Sequence, residues 1–143
     1  MRVVLDTCVL VAAIRSRRGA SFALLSEIPQ RRFRFGISIP LYTEYRAKLI
    51  DAVEQGATPL SLKQVDAILH MTAHFGREVP IYYQLRPNLK DENDNMVFEC
   101  AANFQAEAIV THNIKDFKDP ELKGYGIEPI TPGDFLQLLR RKT

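Results

Sequence analysis

The sequence has no tryptophan and only two cysteines, Cys8 and Cys100. Two cysteines cannot build a disulfide framework or supply a zinc set. Both stand among apolar residues, which predicts reduced thiols in the core. No apolar run reaches the roughly 18 residues of a membrane-spanning helix, and the chain opens directly on a strand-like run with no leader-like segment. These absences predict a cytoplasmic protein with no membrane partner. A large charge excess is also missing. The 19 Lys and Arg nearly balance the 17 Asp and Glu, leaving +2, so total charge excludes no partner class. What remains is an ordinary composition, 46% hydrophobic and 25% charged over 143 residues. That is enough chain for one domain, residues 1–143, with its own core. There is no internal repeat, low-complexity tract or interdomain linker.

The charges are unevenly placed. Arg15, Arg17, Arg18, Arg31, Arg32 and Arg34 crowd the first quarter, and Arg140, Arg141 and Lys142 close the chain. Most acids lie between. Such clusters are either solvated basic faces or a footprint for a phosphate backbone.

The hydrophobic pattern alternates between two periods. Val3–Leu5 is a short apolar run suited to a strand buried on both faces. Val9–Ile14 is helical and breaks at the polar stretch 15–19. Ala20–Ile28 reads as a second helix stopped at Pro29, and Phe33–Ile39 contains a second strand. Pro40 suits the first turn of a helix, which should run to about Glu54. Leu62, Val65, Ile68, Leu69 and Thr72 keep a helical period, with Gly76 as a stop. Val79–Tyr83 is strand-like, and 86–91 reads as a loop. Met96, Val97, Cys100, Ala101 and Phe104 mark another helix. Ala108–Thr111 reads as a buried strand and 128–131 as a last short strand. Pro132 and Gly133 open the final helix. Strands alternating with helices predict an α/β fold with a mainly parallel sheet. In such sheets, sites form beyond the carboxyl ends of the strands.

Asp6 stands at such an end, in "VVLDTCVLVA". A carboxylate between two apolar runs is costly unless a cation or hydrogen bonds meet it. Other acids recur near strand ends and helix starts: Glu44, the group Asp91, Glu92 and Asp94, and Asp116 in "VTHNIKDF". Each has a plain alternative. Asp94 could favour a helix N-terminus, Glu44 could pair with Lys48 at i,i+4, and Asp116 could be a turn residue. Together they suggest one cluster. Gathered carboxylates repel one another, and a hard divalent cation removes that cost. Such an ion activates water and stabilises charge during phosphodiester cleavage.

At these residues the chain resembles the PIN-domain nucleases, and more narrowly the bacterial PIN proteins that act as toxins of toxin–antitoxin pairs. The resemblance runs through "VVLDTCVLVAAIRSRRGAS", "SIPLYTEYRAKL", "LKDENDNMVFECA" and "AEAIVTHNIKDF", so it covers essentially the whole chain. It implies a three-layer α/β/α sandwich and a ribonuclease acting on single-stranded or structured RNA with Mg2+ or Mn2+. It implies Asp6, Glu44, Asp94 and Asp116 as catalytic and metal residues, with Thr7, Asp91, Thr111 and Asn113 as accessories. It also implies a homodimer and a cognate antitoxin. Arg15, Arg17 and Arg18 follow the first acid and are expected to hold RNA. The chain departs from the family pattern at Cys8, where asparagine is usual. Asn113 and Asp116 compete for the fourth position.

Two other classes stand beside this one. A PIN scaffold could bind RNA or a protein partner without cleaving. A phospho-acceptor signalling domain would need paired acids after the first strand, where only Asp6 stands. The histidines His70, His74 and His112 follow no Ser/His/Asp signature. His70 and His74 share a helix face, as a surface pair or a metal pair would.

Overall fold

A computed structural model describes residues 1–82 and 92–141, without the side chain of Glu121. Its centre is a five-stranded sheet of β1 (Arg2–Leu5), β2 (Arg34–Ile37), β3 (Arg77–Glu78), β4 (Ala108–Val110) and β5 (Glu128–Ile130). The strand order is β3-β2-β1-β4-β5 and every pairing is parallel. Val3, Val4, Leu5, Ile109 and Val110 are fully buried, as a sheet covered on both faces requires.

Among the described residues the sheet is flanked by seven helices, giving the expected three-layer sandwich: α1 (Thr7–Arg15), α2 (Ala20–Ser26), α3 (Ile39–Glu54), α4 (Leu62–Phe75), α5 (Glu92–Phe104), α6 (Pro120–Gly124) and α7 (Pro132–Arg141). The Ser38 hydroxyl caps α3 by accepting from the Leu41 N–H. A reciprocal Ser61–Gln64 capping box starts α4, satisfying two N–H groups that the helix itself cannot. Helix α5 packs across β1, β2 and β4. It comes so close to β2 that a Cβ on Gly36 would stand 2.7 Å from the Phe104 ring.

Some local expectations shift. The strand read at Val79–Tyr83 lies earlier, at Arg77–Glu78. Its ladder ends with the Val79 N–H on the Ile37 carbonyl at 3.0 Å, because Pro80 has no N–H to continue it. Tyr83 and the 86–91 loop lie outside the described residues. The helix read to Ile28 ends at Ser26, and Pro29 sits in a separate 3-10 turn, Ile28–Gln30. Helix α6 has no counterpart in the sequence reading.

The topology has one functional consequence. The chain builds β1, β2 and β3 to one side, then returns to lay β4 and β5 on the other. The order reverses between β1 and β4, and crevices for ligands open at the carboxyl ends of strands at such a switch point.

Candidate active site

Asp6 follows β1 at that switch point. It is the residue before α1, yet its carboxylate makes no cap hydrogen bond to the helix. The side chain, only 2% exposed, turns to other partners. Thr111, directly after β4 and fully buried, donates to Oδ2 at 2.7 Å. The Cys8 thiol donates to the same oxygen at 3.3 Å. The Asn93 amide, from the first turn of α5, donates to Oδ1 at 3.3 Å. All three donors are neutral. Among the described residues, no cationic side chain forms an ion pair with Asp6.

The surrounding bonds hold those donors in place. The Thr7 hydroxyl donates to Asn93 Oδ1 at 3.1 Å. The Asn113 N–H donates to Thr111 Oγ1 at 2.9 Å. The His112 N–H meets Cys8 Sγ at 3.5 Å. Below the carboxylate, the buried Tyr45 hydroxyl on α3 donates to the Leu5 carbonyl, so α3 is tied to the residue before Asp6.

Burial, and next the Asp6 carboxylate, push the Cys8 thiol up to about 12. Burial first, then nearby charge including that of Asp6, pushes the Tyr45 phenol well above its ordinary value. Both therefore remain protonated donors at neutral pH. Cys8 is thus a half-buried member of the carboxylate's hydrogen-bond shell, whereas Cys100 is the fully buried core thiol expected. In this shell Cys8 supplies a polar hydrogen where asparagine is usual in the family resembled.

The other acids stand at different distances from this shell. Asp94 is 6% exposed in the first turn of α5, one residue from Asn93. Glu44 lies on α3 beside Tyr45, with Lys48 Nζ 4.0 Å from its carboxylate. That i,i+4 contact is at the limit of an ion pair and worth little. Asp116 is exposed in a 3-10 turn, Ile114–Phe117, where its N–H bonds the Asn113 carbonyl at 3.0 Å. Of the two rivals for the fourth position, Asn113 reaches the Asp6 shell through its backbone N–H alone, which leaves the choice between the two side chains open. Asp91 lies outside the described residues.

Among the described residues, no three His, Cys, Asp or Glu side chains stand close enough together to hold a metal ion. The donor chemistry nevertheless fits a hard cation: Asp6, Asp94 and Glu44 offer oxygens only, and magnesium needs one or two carboxylates while keeping its own waters.

Arg15, Arg17 and Arg18 are exposed at the far end of α1. The helix rise separates Thr7 from Arg15 by about 12 Å, so these side chains do not join the Asp6 shell directly. Others of the early arginines have structural work. Arg32 pairs with Glu27 at 3.3 Å and donates to the Leu139 carbonyl at 3.0 Å. Arg31 lies over the Phe75 ring. His70 and His74 are exposed on α4. His112 does meet a serine, Ser21 Oγ at 2.8 Å, but no carboxylate completes a triad among the described residues.

Asn93 and Tyr45 are the site residues that the sequence reading missed. The only signal for Asn93 was an amide set between Glu92 and Asp94 at a helix start.

The arrangement defines an α/β domain with a buried carboxylate, Asp6, at its switch point, and this class can be narrowed further. A profile of the PIN domain matches residues 2–115, and the chain belongs to the PIN-domain family, whose members are in general nucleases. The matched span contains Asp6, Glu44, Asp94 and Asn113. Among solved structures the chain is similar to VapBC2 from Rickettsia felis bound to a DNA fragment from their promoter, at 15% identity and a TM-score of 0.57. That match covers 92% of this chain and 98% of the other, and the likeness is one of fold. A comparison with curated proteins finds no match.

Proposed function

We propose that this protein is a metal-dependent ribonuclease that cleaves single-stranded or structured RNA, as the toxin of a toxin–antitoxin pair. One observation carries the catalytic reading. Asp6 is a buried carboxylate at the switch point with three neutral donors and no cationic partner among the described residues. Neutral hydrogen bonds orient such a charge but leave it uncompensated. Family membership and the likeness to a VapBC2 complex support the toxin role and a cognate antitoxin. The same reading includes a homodimer acting in the cytoplasm.

In this reading Asp6, Asp94 and Glu44 hold Mg2+ or Mn2+, directly or through water, and Asn113 or Asp116 completes the set. Such an ion supplies an activated water and stabilises the charge that develops on the phosphate. The protein's own part is positional. Thr111, Asn93 and Cys8 fix both oxygens of Asp6, and Tyr45 fixes the backbone beneath it. Arg15, Arg17 and Arg18 hold a more distant part of the strand.

The test is RNA cleavage by wild type and Asp6→Asn with magnesium, with manganese and with EDTA. Wild type is expected to cleave only with metal, and Asp6→Asn to lose at least about a hundredfold in rate, the lower end of what positioned groups contribute. Wild-type cleavage persisting in EDTA would refute the mechanism. A second reading, a scaffold that binds RNA or a protein without cleaving, draws on the lack of a three-ligand cluster among the described residues. Metal-independent RNA binding with no cleavage under any of these conditions selects it.

A further inference from the structure

The amino-terminal edge of the sheet, opposite Asp6, has a charge pattern that the catalytic reading does not use. Arg2, Arg34 and Arg77 are the first residues of β1, β2 and β3, which are neighbours in the sheet. The register pairs Arg2 with Arg34 and Gly36 with Arg77. Strand side chains alternate with a period of two, so Arg34 and Gly36 share a face. All three arginines therefore leave the same face of the sheet. On the other half of this edge the charge reverses, with exposed Glu107 just before β4 and Glu128 opening β5.

Adjacent like charges on neighbouring strands are destabilising, and little offsets them here. Arg2 is fixed by the Phe104 and Gln105 carbonyls at 2.9 and 3.1 Å. Arg34 and Arg77 are exposed and form no ion pair among the described residues. The three line a cavity of about 320 Å³ in which Glu78 is the one acid among the described residues. Arg34 and Arg77 also line a second cavity, of about 290 Å³, which adds Arg31 and the Phe75 ring. The two cavities thus share two arginines, residues whose planar guanidinium forks match phosphate oxygens.

We propose that this edge binds phosphate groups of an RNA strand outside the catalytic cleft, an inference that rests on the ribonuclease reading above. β1 alone spans about 13 Å, so the arginines are far from the reacting phosphate. They add affinity for long RNA and leave the chemical step unchanged.

The test uses the full chain carrying Asp6→Asn, with RNAs of about 5 and about 25 nucleotides, one near the bottom of the range a single-strand-binding domain covers and one above it. Adding Arg34→Gln and Arg77→Gln is expected to weaken binding of the long RNA about tenfold. It should also reduce the slope of log affinity against log salt by about 1.4, two contacts at about 0.7 each. The short RNA is expected to bind unchanged. Lysine at both positions should recover the slope, and Lys63→Ala with Lys123→Ala, which removes two exposed charges elsewhere, should not alter it. An unchanged affinity and slope for the long RNA overturns the proposal. If the otherwise wild-type chain still cleaves RNA with metal in that case, the ribonuclease reading stands alone. Arginine-dependent binding by a chain that never cleaves supports the edge site and overturns the catalytic reading. Inorganic pyrophosphate is the small-anion arm. Displacement of long RNA at stoichiometric pyrophosphate identifies a small phosphate ligand and overturns strand binding, whereas displacement only at large excess supports it.

Discussion

Thr111 donates a 2.7 Å hydrogen bond to Asp6, joining the carboxyl ends of β4 and β1 where the strand order reverses. Replacing it with valine keeps the shape and removes the donor. Thr111→Val is expected to lose about 1.5–3 kcal/mol, the range for a hydrogen bond to a charged group, and to reduce cleavage as Asp6 loses its orientation. Thr111→Ser should keep most of both. Urea unfolding and cleavage rates check this, and wild-type stability in the valine variant would show that the bond contributes nothing.

Asn93 offers an amide hydrogen to Asp6 at 3.3 Å. In Asn93→Asp a second carboxylate replaces that donor. Two carboxylates sharing a site resist joint ionisation, so in EDTA the variant should lose on the order of 1–3 kcal/mol. Magnesium should recover part of the loss, because it binds the folded state better when more charge converges there. Melting temperatures with and without metal provide the measurement. A loss of equal size in both conditions argues against a cation at Asp6.

Burial raises the Cys100 thiol from 9.0 to about 12. The folded chain therefore keeps a proton that the unfolded chain releases. Stability is unaffected by this group below pH 9.0 and falls as pH rises from there toward about 12, at up to about 1.4 kcal/mol per pH unit. Cys100→Ala lacks the effect. The variant should be the less stable one near pH 8, by about 1 kcal/mol, and the gap should close or reverse as pH rises. Urea midpoints of both proteins across that range are the check, and a constant gap contradicts the expectation.

Gly36 leaves no space for a methyl group. An added Cβ would meet the Phe104 ring at 2.7 Å and Val79 Cγ2 at 2.8 Å, so Gly36→Ala should cost about 1–3 kcal/mol by overpacking. Phe104→Leu in the same chain should return part of it. Equal stability of Gly36→Ala and wild type would mean that α5 moves aside freely.

What the sequence revealed follows from where information is local. The buried runs at Val3–Leu5 and Ala108–Val110 need no partner to be recognised, because apolar residues without alternation already imply a sheet covered on both faces. Asp6 stood out as a charge against that background. Asn93 did not, because its role is a contact made 87 residues away, and an amide between two acids at a helix start does not by itself point to that contact. Cys8 looked like core because its sequence neighbours are apolar, while in space it faces a carboxylate. The misplaced third strand has a local cause that outweighed propensity: Val79, Ile81 and Tyr82 favour strand, but Pro80 cannot carry the ladder.

The partners of Asp6 come from opposite ends of the chain, 105 residues apart in the case of Thr111. At a synthesis rate of about 5–20 residues per second, the carboxylate exists for roughly 5–20 seconds before its strongest donor is made. Until then β1 lacks β4 beside it, and Asp6 has no wall to face. A nascent chain therefore lacks the completed hydrogen-bond shell of Asp6 until the residues after β4 have been made, whatever its first half can fold into.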